Sequence, residues 1–137
     1  MNKVLLDTNV LIYSIDEESK YFEKSHTILS DINLQLFTTS KNISEFLAVI
    51  TRIPDRSLSI QQALIVVRDF QNIFTFLYLT EHSYRVFIDL IKKYKPVGTR
   101  IHDFEIASIA IENHIMDIAT FNAKDFSGVE EVNVYLP

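Results

Sequence analysis

Short apolar runs and longer amphipathic stretches alternate along this chain. Runs of strand length occupy residues 3–6, 34–38, 75–79 and 116–120, with an edge-strand pattern at 133–135. Between them the apolar spacing becomes helical. Residues 9–14 fit a short helix, and Ser19 offers a cap for a helix running to residue 30. Thr39-Ser40 offers a cap for a helix through residue 51, which Pro54 ends with Arg52, Asp55 and Arg56 in the turn. Ser59-Ile60-Gln61-Gln62 has the Ser-x-x-Gln form of a capping box and opens a helix to residue 72. In residues 81–94, Val86, Phe87, Leu90 and Ile91 share one face. Lys92, Lys93 and Lys95 then suit a helix C-terminus. After the stop at Pro96-Val97-Gly98, Thr99 or Arg100 begins a helix to residue 113, and residues 123–126 make a short turn.

Strands separated by helices imply parallel pairing with crossover connections. The expected fold is α/β: one three-layer domain over residues 1–137, around a small, mainly parallel sheet of four or five strands. Hydrophobic residues make up 47% of the chain, enough for a sizeable core.

Composition narrows the chemistry. The absence of cysteine excludes disulfides, thiolate nucleophiles and zinc–thiolate sites, and fits a reducing compartment. With only 2 Gly there is no glycine-rich phosphate cradle. Asp7 interrupts the first apolar run too early for a signal peptide, and no stretch is long enough for a membrane span. A cytoplasmic protein is expected. The net charge of −5 argues against holding nucleic acid on a broad basic surface, but not against meeting phosphate through metal ions.

The candidate chemistry starts at Asp7, at the carboxyl end of the first strand. Ligands bind at that edge in open α/β sheets, and a carboxylate there needs a partner. Asp103 falls in the first turn of its helix, in line with Ile106, Ala107 and Ala110 and opposite the stripe of Glu105, Ser108 and Glu112. Complementing the helix dipole explains a first-turn acid but not its inward aim. Glu45 sits off the apolar face of Ile43, Phe46, Leu47 and Ile50. It is open to two readings: a site acid, or a capping arrangement reaching back to the Asn42 amide. Thr120, Asn122 and Asp125 taken alone read as an ordinary turn.

Together these residues say more. Strand C-termini and the following helix N-termini share one edge of a doubly wound sheet. Three or four carboxylates meeting there would repel, and a divalent cation removes the conflict. Oxygen-only ligands select Mg²⁺ or Mn²⁺. Zinc is disfavoured because His26, His82, His102 and His114 have no paired ligand spacing. Such a site suits metal-assisted phosphodiester hydrolysis.

Four segments in order carry a resemblance: residues 4–11 (Val-Leu-Leu-Asp-Thr-Asn-Val-Leu), Ser44-Glu45-Phe46, residues 102–110 (His-Asp-Phe-Glu-Ile-Ala-Ser-Ile-Ala) and residues 119–126 (Ala-Thr-Phe-Asn-Ala-Lys-Asp-Phe). Through them the chain resembles the PIN-domain family, and within it the VapC-like toxins of toxin–antitoxin pairs. The resemblance implies a PIN-like fold and a Mg²⁺- or Mn²⁺-dependent endoribonuclease. It maps the metal and catalytic acids to Asp7, Glu45, Asp103 and Asp125, with Asn122 as a further ligand and Thr8, Asn9 and Thr120 as polar support. It also implies an RNA substrate, a small antitoxin partner and a homodimer. Asn122 departs from the aspartate many relatives carry, so Asp125 takes more of that role. Relatives often have glycine before the last core strand. Here Asn113-His114 stands there, and asparagine tolerates the left-handed conformation.

Lys41, Arg52, Arg100 and Lys124 are the candidate RNA contacts. Three alternatives stay open: a PIN-type RNA-processing nuclease without an antitoxin, a non-catalytic RNA- or protein-binding PIN module, and a haloacid-type phosphatase. The last would want Asp-x-Asp where this chain has Asp7-Thr8-Asn9.

Overall fold

The computed structural model describes residues 1–136. Five strands, β1 (Asn2–Leu6), β2 (Leu34–Thr39), β3 (Thr75–Leu77), β4 (Asp117–Ala119) and β5 (Asn133–Tyr135), form one sheet in the order β3-β2-β1-β4-β5. Every pairing is parallel, with Val4 opposite Leu36 and Leu6 opposite Ala119. The chain winds outward from β1 to β3, then returns to place β4 on the other side of β1. The direction of winding therefore reverses between β1 and β4, and ligands bind at the carboxyl ends beside such a switch.

Six helices cover the sheet: α1 (Thr8–Tyr13), α2 (Phe22–Leu29), α3 (Ser40–Ile50), α4 (Ile60–Ile73), α5 (Glu81–Tyr94) and α6 (Arg100–Glu112). Alternation along β1 divides the core. Val4 and Leu6 join Val10, Ile28, Phe46 and Phe70, drawn from α1–α4. Leu5 points the other way, into Leu90, Phe104, Ile106 and Ile118, with α5 and α6. Phe46 has no exposed surface, and truncating such a ring typically costs about 3–5 kcal/mol. No helix among the described residues is long and apolar enough to cross a membrane.

Local signals set most boundaries. Ser59 and Gln62 form the expected capping box of α4. Thr39 pairs with Asn42 in the same way at α3, and Thr80 with Ser83 at α5. Three expectations are corrected. Ser19 does not cap α2; its hydroxyl accepts from the Tyr21 N–H in a local turn, and the helix starts at Phe22. β3 stops at Leu77 because its one partner, β2, ends opposite it at Thr39, where α3 begins. The left-handed residue before β4 is His114 (φ 59°), not Asn113, whose side chain instead donates to the Ile109 carbonyl.

Candidate active site

Asp7 is the first residue past β1. Its backbone N–H donates to the Ala119 carbonyl at 2.9 Å, tying the end of β1 to β4. Its backbone stays extended, so its carboxylate turns back onto the opening of α1. There Oδ1 accepts from the Thr8 N–H at 2.9 Å. Thr120 occupies the matching place past β4 and donates its hydroxyl to Asp7 Oδ2 at 2.9 Å. The same hydroxyl oxygen accepts from Asn9 Nδ2 and from the Asn122 N–H, both at 3.0 Å. Asn9 Oδ1 takes the Phe121 N–H at 3.1 Å. Asp7, Thr8, Asn9 and Thr120 thus share one network, and Asp7 is only 7% exposed.

Asn42 completes the network. It is fully buried, and its Nδ2 donates to Thr8 Oγ1 at 3.0 Å and to Asp7 Oδ1 at 3.3 Å. Its Oδ1 accepts from the Thr39 hydroxyl at 2.6 Å. One amide therefore caps α3 and holds the Asp7 carboxylate. Sequence reasoning missed this role. The available signal was the Thr39-x-x-Asn42 spacing, with Asn42 four residues before the buried Phe46 and hence on the inward face.

The Asn42 N–H is satisfied by Thr39, so the capping alternative for Glu45 falls away. Glu45 is exposed and lines an open cleft with Lys41, Ser44 and His102. Asp103 is half-buried in the first turn of α6. The polar stripe expected opposite it is only partly polar in its surroundings. Ser108 is fully buried and donates to the Glu105 carbonyl at 2.6 Å, because α6 is covered on most sides. Asp125 ends a short 3-10 turn (Ala123–Asp125), where its Oδ2 accepts from Asn122 Nδ2 at 2.9 Å.

The acids act on one another. Burial pushes the Asp7 carboxyl up to about 6; the hydrogen bonds from Thr8 and Thr120 oppose this, while Glu45 and Asp125 add to it. Burial is also the largest cause at Asp103, pushed up to about 7, with Asp125, Asp7 and Glu45 raising it further and Arg100 lowering it. Among the described residues, however, no three acidic or imidazole side chains stand close enough to enclose an ion. The donor chemistry still fits a hard cation: all oxygen, and short of the positive charge that would let Asp7 and Asp103 ionise freely.

The four basic candidates separate. Lys41 Nζ pairs with Glu105 at 3.3 Å, and Arg100 donates to the Asp125 carbonyl at 3.2 Å, so both border the acids while bound to their own chain. Lys124 is exposed in the 3-10 turn. Arg52 follows the C-terminus of α3, eleven residues beyond Lys41, which at 1.5 Å per residue is about 16 Å away, at the opposite end of the helix.

The fold defines an α/β protein whose carboxyl edge, beside the sheet's switch point, carries Asp7 and Thr120. The family model for the PIN domain matches residues 4–132, and the chain belongs to the PIN-domain family. Solved structures share its fold at low identity. VapBC2 from Rickettsia felis, bound to a DNA fragment from its promoter, aligns with TM-score 0.74 and 17% identity over 97% of both chains. VapC20 from Mycobacterium tuberculosis, a sarcin–ricin-loop-cleaving toxin, aligns with TM-score 0.75 and 9% identity over 98% of this chain and 99% of its own. DNA-bound VapBC from Salmonella typhimurium aligns with TM-score 0.68 and 22% identity over 98% of each. No curated protein sequence matches the chain.

Proposed function

We propose that this chain is a divalent-cation-dependent endoribonuclease and the toxin of a toxin–antitoxin pair. The shared surroundings of its acids carry the reading. Burial is the largest cause that raises Asp7 and Asp103, and Asp125 and Glu45, which lie on different elements of one sheet edge, raise both further. Asp7, Glu45, Asp103 and Asp125 would hold Mg²⁺ or Mn²⁺, their side chains drawing together on the ion, with Asn122 a neutral donor. A cation held there lowers the pKa of a water and offsets charge on the phosphate.

The chain's own groups supply the rest. Thr8, Thr120 and Asn42 fix the Asp7 carboxylate in one orientation. Asp103, half-buried in the first turn of α6, is raised by burial and then by Asp125 and Asp7, a conflict that a cation beside it would relieve. Exposed Ile60, Leu64, Ile65 and Ile73 on α4 leave apolar surface for an antitoxin or a second copy. The VapBC structures of like fold support an antitoxin partner.

The test is incubation of the purified chain with structured and unstructured RNA, with Mg²⁺, with Mn²⁺ and with chelator, beside Asp7→Asn and Asp103→Asn. Metal-dependent cleavage lost in both variants supports the nuclease. The second reading, a PIN module that binds without cutting, is favoured by one observation: among the described residues no three acidic or imidazole side chains converge. RNA or protein binding with neither cleavage nor metal uptake would select it.

A further inference from the structure

Beside the acids lies an aromatic cluster that the hydrolytic chemistry does not use. Tyr21 and Phe121 stack with centroids 4.4 Å apart and planes 17° apart. Tyr13 leans on both rings, at 5.2 and 5.7 Å. A cleft of about 240 Å³ opens against Tyr21, Phe121, Lys24 and Leu136. That is below the roughly 300–1,000 Å³ of drug-sized pockets and suits a single planar ring system. Lys24 stands at its wall, and Lys20 Nζ rests 5.0 Å over the Tyr21 ring.

The cluster is tied to the acidic site. Phe121 follows Thr120, whose hydroxyl holds Asp7, and the Phe121 N–H is fixed by Asn9 Oδ1. Its ring therefore stands one residue from the carboxylate network. Aromatic rings take any base by its π-face, and lysines beside them take the flanking phosphate. Apolar rings alone would suit a peptide equally well. Two lysines at the rings favour a polyanion at this cleft against the overall charge of −5.

We propose that Tyr21 and Phe121, with Lys24 and Lys20, form a base-stacking subsite that seats one nucleobase of an RNA substrate next to the acidic site. This deepens the nuclease reading and rests on it. The base sets which phosphate faces Asp7, so the subsite positions the strand without touching the reacting atoms.

The test is NMR titration of the full chain with a non-cleavable 2′-O-methyl RNA tetranucleotide and with its abasic counterpart. The expected result is shifts at the Tyr21, Lys24 and Phe121 amides with the base-bearing oligomer only. Tyr21→Leu weakens binding roughly 5- to 150-fold, the range stacking supplies, and Tyr21→Phe restores it. Lys24→Gln, an exposed change with little risk to folding, weakens binding and lessens its salt dependence. Equal binding of the abasic oligomer, or no loss in Tyr21→Leu, overturns the subsite. Shifts at these amides with an apolar peptide instead of RNA also overturn it. Base-dependent binding without metal-dependent cleavage keeps the subsite and sinks the nuclease; metal-dependent cleavage untouched by Tyr21→Leu does the reverse.

Discussion

Thr120 reaches across the boundary between two strands to hold Asp7, Oγ1 to Oδ2, at 2.9 Å, although 113 positions separate them in sequence. The same oxygen receives Asn9 and the Asn122 N–H. Thr120→Val keeps the shape and removes all three bonds. Two donors are left short of an acceptor, each costing about 1–3 kcal/mol where buried. A fall in stability of about 2 kcal/mol is expected in urea unfolding. The Asp7 carboxyl also rises above its present value of about 6, because a hydrogen bond that lowers it is lost. An unchanged unfolding midpoint would count against this role.

Asn42→Leu removes the amide that joins Thr39, Thr8 and Asp7. It costs about 2–4 kcal/mol, combining a lost cap with unpaired buried groups. Asn42→Asp is expected to be worse for Asp7, since it sets a second carboxylate beside the first and pushes both upward. Measuring the Asp7 carboxyl by NMR in the two variants separates lost support from added charge.

Asp7 ordinarily titrates at 3.8 and here near 6. The folded chain therefore binds this proton more tightly than the unfolded one. The stability it contributes is full below about pH 4 and falls as pH rises through about 6. At pH 7 the ionised, buried group costs roughly 3 kcal/mol relative to a solvated one. Asp7→Asn should flatten that part of the stability profile between pH 4 and 7, as read by urea unfolding at each pH.

The same sign gives a metal prediction. Mg²⁺ or Mn²⁺ favours the ionised acids, so it raises Tm more at pH 7.5 than at pH 5. Chelator abolishes the difference. A Tm gain independent of pH would indicate binding away from Asp7 and Asp103.

Lys41 and Glu105 are 30% and 24% exposed, and their 3.3 Å pair contributes little. Lys41→Met is expected to change stability by less than about 1 kcal/mol. A larger loss in calorimetry would mean that the pair braces α3 against α6.

Much of the fold was legible because its signals are local. The Ser59–Gln62 box, the cationic end of α5 and the alternation of strand and helix all lie within a few residues of what they determine. The sequence placed Asp7, Asp103 and Asp125 at element ends for the same reason. What stayed hidden is long-range. Asn42 reads as a cap until Thr8, 34 positions away, comes within 3.0 Å. Ser108 reads as solvent-facing until α6 is seen covered on most sides. Ser19 misled because one hydroxyl serves a turn or a helix equally well, and the sequence does not say which forms.

The strand order has a consequence during synthesis. β1 is made first but is flanked by β2 and by β4, whose last residue is Ala119. Until that segment leaves the ribosome, one edge of β1 is open and Asp7 lacks both the Ala119 carbonyl and the Thr120 hydroxyl. A chain released early keeps Asp7 and Glu45 but cannot complete the hydrogen-bond network around Asp7. The segment that carries Ala119 and Thr120 thus acts as a completeness check on Asp7.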